Sequence, residues 1–250
     1  MPYGLYISAE GARAQSFRME TIAHNLANVN TVGYKRDVAG IAARHTEAIT
    51  RSLDYAGSRS INDVGGGVQV RETLTDYAPG AYKDTGGQFD FAIKGDGFFA
   101  VAKDGREYLT RAGDFQVDAG GNLITTAGYA VLGSDGAPVT LDPSRPPEIT
   151  LDGKIIQDGA TVELAVMAPE SLDDLTKAGE NLFENRGESS PVDPSRRSVS
   201  WGVLEHSGVQ PVTTLTDMIA ASRAFEANVR LIQNQDHMTG TLINRVLSSR

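Results

Sequence analysis

The stretch HNLANVNTVGYKR, residues 24–36, marks the point at which a helical pattern in this sequence ends. Ile22, Leu26 and Val29 follow one another at helical spacing, which places them on one face of a helix. Gly33 then supplies a residue that readily adopts a positive φ, as the C-terminus of a helix often requires. The stretch therefore predicts the end of an N-terminal helix.

Both ends of the chain carry heptad patterns. The N-terminal heptad track consists of Leu5, Ala12, Met19 and Leu26. The C-terminal track, within residues 213–247, consists of Met218, Phe225, Ile232 and Val246, flanked by Leu215, Val229, Leu242 and Ile243. A helix of this length far exceeds the usual ~11–12 residues, which favours a helical bundle or coiled coil. Two surface helices that pack on the core of a single domain are the alternative.

The middle of the chain has the texture of β structure. Between residues 68 and 166, short apolar stretches alternate with turn dipeptides such as Asp104-Gly105 and Asp135-Gly136. Such dipeptides supply the positive φ values that tight hairpins need. The predicted inward face includes Phe91, Ile93, Phe98, Phe99, Val101, Phe115, Leu123, Val131 and Leu132.

These patterns predict an α+β fold, in which long N- and C-terminal helices pair as a coiled-coil-like bundle and a central all-β domain contains short antiparallel strands. The predicted segments are an N-terminal helix with its Asn-rich motif, a linker, the β domain and a C-terminal helix, at residues 1–36, 37–67, 68–210 and 211–250. The linker is expected to hold one short helix around residues 41–53.

Composition excludes several classes of function. The chain has 250 residues, a formal net charge of -9 and no cysteine. The negative charge argues against nucleic acid as a partner, since no cluster of Lys and Arg offsets repulsion from phosphates. The absence of cysteine rules out disulfides and thiolate metal sites. No apolar run approaches the roughly 20 residues of a membrane helix, and we expect neither membrane insertion nor a cleaved signal peptide.

The sequence contains no pattern typical of an active site. Its four histidines are scattered and lack metal-ligand spacing. Residues 95–100, GDGFFA, match a dinucleotide fingerprint, but a strand and turn follow them where that motif requires a helix. Asp114, Asp118 and Asn122 lack the order of calcium ligands in an EF-hand and are better explained as turn acceptors. We therefore predict no catalytic residue, no metal, no cofactor and no enzymatic activity.

Three separated motifs resemble the flagellar axial proteins, the family of rod, hook and hook-associated subunits. NLANVNTVGYK, residues 25–35, is similar to the N-terminal signature, with Tyr34 in place of the usual Phe. Residues 91–101 and 108–133 resemble the central β segment, and residues 202–236 resemble the C-terminal signature. There, Gly208 replaces the usual Asn, and both residues accept a left-handed backbone. The length and residues 129–155 favour a proximal rod protein over a distal one or another hook-family member.

The resemblance implies a structural subunit of the bacterial flagellar basal body that is required for motility. It implies terminal helices that self-assemble with other rod subunits into a helical drive shaft, and export through the flagellar type III apparatus without a cleaved signal. The expected assembly interface comprises Leu5, Met19, Ile22, Asn25, Leu26, Asn28, Val29, Met218, Phe225, Val229, Ile232, Leu242 and Val246. Leu26→Asp or Phe225→Asp is expected to block polymer formation and to leave the β domain folded.

The amides of Asn25 and Asn28 allow two interpretations. They are either turn-forming groups at a fraying helix end or an edge of subunit contact, where amides fix the register of packed helices. On the second interpretation, Asn25→Ala and Asn28→Ala weaken assembly. The alternative for the whole chain is a soluble β-rich binding module or hydrolase whose helices brace the β domain.

Overall fold

The structure is a computed structural model that describes residues 3–55, 57–60, 65–142, 145, 147–150, 153–157, 159–193 and 196–248, without the side chains of 246 and 248. The chain forms two compact units. The helical unit contains Met1–Ala27, Asp37–Asp76 and Gln210–Arg250, and the β unit contains Asn28–Arg36 and Tyr77–Val209. The chain therefore passes four times from one unit to the other.

The helices of the helical unit are α1 (Tyr3–Ala27), α2 (Glu47–Thr50) and α3 (Pro211–Ser248). Pro211 opens α3, a position where its fixed φ suits a helix and its missing N–H would have had no partner within the helix. The predicted terminal helices are thus confirmed. The helix expected in residues 41–53 is shorter than predicted, since Ile41–Ala43 form a strand instead.

α1 and α3 pack against each other in antiparallel directions. Contacts along the pair join Gly4 with Gln235, Gly11 with Asn228, and Arg18 with Asp217. A Cβ atom on Gly11 would lie 2.8 Å from Oδ1 of Asn228, so the glycine leaves room for this amide. Gly4 and Gly11 are seven residues apart, as are their partners, and this spacing is that of a heptad seam. Coiled-coil geometry itself stays a prediction.

α3 has 38 residues and α1 has 25, so α3 continues past the first turn of α1. Beyond Thr239, every described side chain of α3 is exposed. Leu242, Ile243 and Leu247 lie in this extension and are 64%, 53% and 69% exposed. The extension therefore presents an apolar surface that the described part of the chain leaves exposed.

A narrow antiparallel ribbon completes the helical unit. Its strands are β1 (Asp37–Val38), β2 (Ile41–Ala43), β3 (Val68–Val70) and β4 (Leu74–Thr75). β1 pairs with β4 and β2 pairs with β3. The first two strands thus lie within the segment predicted as a linker, and β3 and β4 belong with the helices although residues from 68 onward were predicted as β domain.

The described strands of the β unit are short and antiparallel: β5 (Tyr82–Asp84), β6 (Phe91–Ile93), β7 (Phe98–Lys103), β8 (Arg106–Thr110), β9 (Gln116–Val117), β10 (Leu123–Ile124), β11 (Ala130–Val131), β12 (Glu148–Ile149), β13 (Lys154–Gln157), β14 (Ala160–Glu163), β15 (Val166–Pro169), β16 (Leu175–Gly179), β17 (Leu182–Asn185), β18 (Ser189–Pro191), β19 (Val199–Trp201) and β20 (Val203–Glu205). The main sheet has the order β16-β17-β8-β7-β11-β10-β9, and β15 joins β7 to β18. The smaller groups are β12-β13-β14, β19-β6 and β20-β5.

The central strand β7 is buried on both faces over residues 98–101, because its first five residues, FFAVA, are all apolar. Phe99 and Val101 point into one hydrophobic cluster, and Phe98 and Ala100 point into a second. β7 and β8 form a hairpin whose turn, Asp104–Gly105, has φ values of +51° and +75°. The predicted central β domain of short antiparallel strands is thus confirmed.

Candidate functional site

The predicted assembly residues of α1 and α3 lie mainly on the faces where the two helices pack. Ile22 and Asn25 are buried, and the half-buried residues are Leu5, Met19, Leu26, Met218, Phe225, Val229 and Ile232. Leu242 is exposed, and the side chain of Val246 lies outside the described residues. Asn28 and Val29, both half-buried, belong to the β unit. The structure therefore brings most of these residues together within one chain and leaves Leu242 at its surface.

Apolar side chains also cover other faces of α3. Those of Val212, Leu215, Ile219, Leu231, Met238, Leu242, Ile243 and Leu247 are between 47% and 76% exposed. Single exposed apolar residues are ordinary on protein surfaces, but eight on one helix leave an unusually large apolar area in solvent. The heptad rule found the face directed at α1 and only part of this second set.

The amide of Asn25 hydrogen-bonds to the backbone of Asp37 within the helical unit, as the backbone of a neighbouring strand would. Its Nδ2 donates to the carbonyl of Asp37 at 2.6 Å, and its Oδ1 accepts from the N–H of Asp37 at 2.8 Å. The amide thus satisfies both backbone groups of the first residue of β1. Asn28 makes a weaker local contact, since its Oδ1 accepts from Oγ1 of Thr31 at 3.2 Å.

We expect Asn25→Ala to lower the free energy of unfolding by about 1–3 kcal/mol, because the partly buried N–H and C=O of Asp37 lose these bonds. Asn28→Ala is the matched control and should cost less, because the Asn28 side chain is half-buried and its 3.2 Å bond to Thr31 is local, whereas Asn25 is buried. Thermal unfolding of the full chain, followed by far-UV circular dichroism, measures both. Equal losses of stability in the two variants would contradict this role of Asn25.

The β unit holds the rest of the Asn-rich motif through its backbone. The N–H of Gly33 donates to the carbonyl of Glu205 at 2.7 Å, and the N–H of Gly208 donates to the carbonyl of Tyr34 at 2.9 Å. On the other side, Nδ2 of Asn181 donates to the carbonyl of Val32 at 2.7 Å. The N-terminal and C-terminal signatures therefore meet here, joined by main-chain hydrogen bonds.

Gly33 is required at this junction for two reasons. Its φ is +65°, which favours glycine. A Cβ atom at this position would also lie 2.3 Å from the carbonyl carbon of Arg111. Because this contact is with the backbone, no side-chain rotation could relieve it. The prediction that Gly33 adopts a positive φ is confirmed.

A buried cluster of three charges lies beneath the motif. Nζ of Lys35 donates to Oε1 of Glu205 at 2.6 Å and to the carbonyl of Ala78 at 3.0 Å. Nη1 of Arg111 lies 3.4 Å from Oε2 of Glu205, and the N–H of Gly80 donates to Oε1 at 3.0 Å. The Lys35 and Glu205 side chains are each 1% exposed. One carboxylate thus serves two cations in a site that water does not reach.

Aromatic rings and carbonyl groups complete the surroundings of this cluster. Nη2 of Arg111 donates to the carbonyl of Gly95 at 2.8 Å, and its guanidinium carbon lies 5.0 Å from the centre of the Phe98 ring. The Tyr82 hydroxyl donates to the carbonyl of Ile93 at 2.9 Å. Burial and then the negative charge of Glu205 raise the pKa of Tyr82, so this hydroxyl stays protonated and remains a donor.

The side chain of Lys177 binds the end of the Asn-rich motif, at Tyr34 and Lys35. Its Nζ donates to the carbonyl of Lys35 at 2.5 Å and lies 4.3 Å from the centre of the Tyr34 ring. Lys35 and Glu205 stand in the two signatures, but sequence spacing gave no sign that they pair across 170 residues. The signal that could have found them is the presence of a charged residue in each motif beside apolar neighbours.

Within the described ranges, no group of three His, Asp or Glu side chains is arranged to hold a metal ion. Neither long helix, over the part of the chain that the structure covers, combines the length and apolar character of a membrane span. The geometry described above is that of packed helices and a docked segment.

Three family models match the chain in the order of its motifs. The model for "Flagella basal body rod protein" matches residues 5–35. The model for "Flagellar hook protein FlgE/F/G D1 domain" matches residues 92–176. The model for "Flagellar basal body rod FlgEFG protein C-terminal" matches residues 202–245.

Curated relatives match over nearly the whole length. The chain is 31% identical to flagellar basal-body rod protein FlgF of Caulobacter vibrioides, with 98% of each chain covered. It is 33% identical to rod protein FlgG of Agrobacterium fabrum, with 94% of this chain and 95% of the relative covered. It is 31% identical to rod protein FlgG of Bacillus subtilis, with 96% and 97% covered.

Proposed function

The chain belongs to the flagellar basal-body rod protein family, and from this membership we propose that it polymerises through its terminal helices into the proximal part of the rod. In this role it is a structural subunit of the drive shaft that carries motor torque to the hook. The family is not known to be enzymatic, in agreement with the prediction that the chain is not an enzyme.

The exposed apolar surface of α3 is the observation that carries this proposal. Leu242, Ile243 and Leu247 lie past the N-terminal end of α1, and none of the described residues covers them. Burial of apolar surface is the main favourable term in protein association. A neighbouring rod subunit that packs on this extension would continue the seam formed by α1 and α3.

Leu242→Asp tests this proposal. We expect the variant to lose polymer formation and to unfold at the same temperature as the wild-type monomer, because the side chain is exposed before assembly. Thr241→Asp adds the same charge to the opposite face of the extension and is the matched control. Sedimentation of polymer and swimming of a complemented deletion strain measure the effect. Normal assembly of the Leu242→Asp variant would refute a role for this surface.

The interface residues within the helix pair remain part of the proposal. Leu26→Asp and Phe225→Asp should also block polymer formation, but both side chains are half-buried and the substitutions act on the pairing of α1 with α3 as well. For this reason Leu242, at the surface, separates assembly from folding more cleanly. Asn28 and Val29 are kept as proposed contacts with neighbouring subunits.

The proximal position is supported by residues 129–155, which resemble the stretch that the proximal rod protein carries after its β signature. The alternative is a distal rod protein or another axial protein of the hook family, because relatives named FlgF and FlgG both match. The segment of the basal body that is missing when this gene alone is deleted distinguishes these positions. Export through the flagellar type III apparatus, without a cleaved signal, is part of the proposal.

A further inference from the structure

The Val32–Lys35 segment is held almost entirely by residues distant from it in the sequence. Backbone groups of Glu205 and Gly208 and the side chains of Asn181 and Lys177 bind the main chain of the segment. None of these contacts requires the covalent link between the segment and the rest of the β unit. The arrangement therefore has the form of a peptide bound in a receptor site.

The site is also selective for the side chains of the segment. The position of Gly33 accepts no Cβ atom, because the backbone of Arg111 lies against it. The ring of Tyr34 is 5% exposed and lies beneath Nζ of Lys177. The ammonium of Lys35 enters a closed pocket whose floor is the carboxylate of Glu205. Three successive positions thus require a glycine, an aromatic ring and a lysine.

We propose that the β unit carries a recognition site for a Gly-Tyr-Lys segment, that the chain's own residues occupy it, and that the same segment from a second molecule binds when the resident one is displaced. In the intact chain, the resident segment outcompetes the segment of a second molecule, because its covalent attachment gives it a high effective concentration. Exchange of the segment between two copies would link them as a domain swap does. This site is separate from the helix surface on which the proposed function rests.

Binding of a labelled peptide tests the proposal. The probe is fluorescein-labelled NVNTVGYKR, the sequence of residues 28–36, added to the full-length protein and followed by fluorescence polarisation. Gly33→Ala in the protein displaces the resident segment without altering the side chains that line the site. We expect the peptide to bind the Gly33→Ala protein and to bind the wild-type protein at least about tenfold more weakly, because there the site is occupied.

A second peptide, with methionine in place of its lysine, tests the role of Glu205. Its affinity for the Gly33→Ala protein should be lower by about thirtyfold or more, because Glu205 loses its buried partner. Equal affinity of the two peptides, or failure of the displaced site to bind the first, would overturn the proposal. Fluorescence of Trp201, the only tryptophan, confirms that the β unit is folded. If Gly33→Ala unfolds the β unit, the same peptide titration is carried out with the Lys35→Met protein, and its result supports or overturns the proposal.

Discussion

Glu205→Leu is expected to destabilise the β unit by about 3–5 kcal/mol, the usual cost of removing one partner from a buried ion pair. The carboxylate of Glu205 receives hydrogen bonds from Lys35 and from the backbone of Gly80, and it faces Arg111 at 3.4 Å. Without it, both cations stay buried and lose the carboxylate that faces them. Urea unfolding followed by Trp201 fluorescence measures the loss, because this indole lies in β19 and donates to the carbonyl of Gln88 at 2.9 Å.

Lys35→Met and Arg111→Met are the matched controls for this prediction. Each removes one cation and leaves the carboxylate with the other, so the remaining charges balance one to one. Both variants should therefore lose less stability than Glu205→Leu. A Glu205→Leu protein that is no less stable than Lys35→Met would show that the cluster is not organised around its single anion.

Phe99→Ala should cost about 3–5 kcal/mol of unfolding free energy, because it opens a cavity in the fully buried core of the β unit. Phe99 is completely buried, and its ring meets that of Phe115 edge to face with a centre separation of 5.3 Å. The strand that carries it has neighbours on both edges and clusters on both faces, so the surroundings cannot easily close the gap.

Phe99→Leu is the control for the cavity, since leucine keeps most of the apolar volume and should recover a large part of the loss. The same urea titration applies to both variants. A Phe99→Ala protein as stable as Phe99→Leu would indicate that the two clusters merge and fill the space. That outcome would contradict the packing described for β7.

The sequence predicted local features better than it predicted pairings. Heptad spacing located both helices because a face buried along one helix repeats every three or four residues. Asp104-Gly105 located a hairpin because its backbone preference is local. The sequence marked Asn25 as unusual, but it could not predict the bonds to Asp37. A single side-chain amide that bonds to a strand produces no periodic pattern in the sequence.

The pairing of Lys35 with Glu205 shows most clearly what the sequence alone could not predict. Each residue lies in a recognisable motif, but nothing in either motif specifies its partner in space. The placement of residues 37–43 and 68–75 with the helices was missed for a related reason. Short strands carry too few residues to reveal which element they will pair with, and only the folded arrangement assigns the ribbon to the helical unit.

The four passages of the chain between its two units bear on how the molecule carries a load. Domains joined by one linker transmit force through a single peptide segment, whose flexibility sets the limit. Here the chain crosses after Ala27, Arg36, Asp76 and Val209. One cut at a crossing therefore leaves three covalent connections between the units intact. In the proposed role of a rod subunit under load, this redundancy would keep the two units connected after a single break.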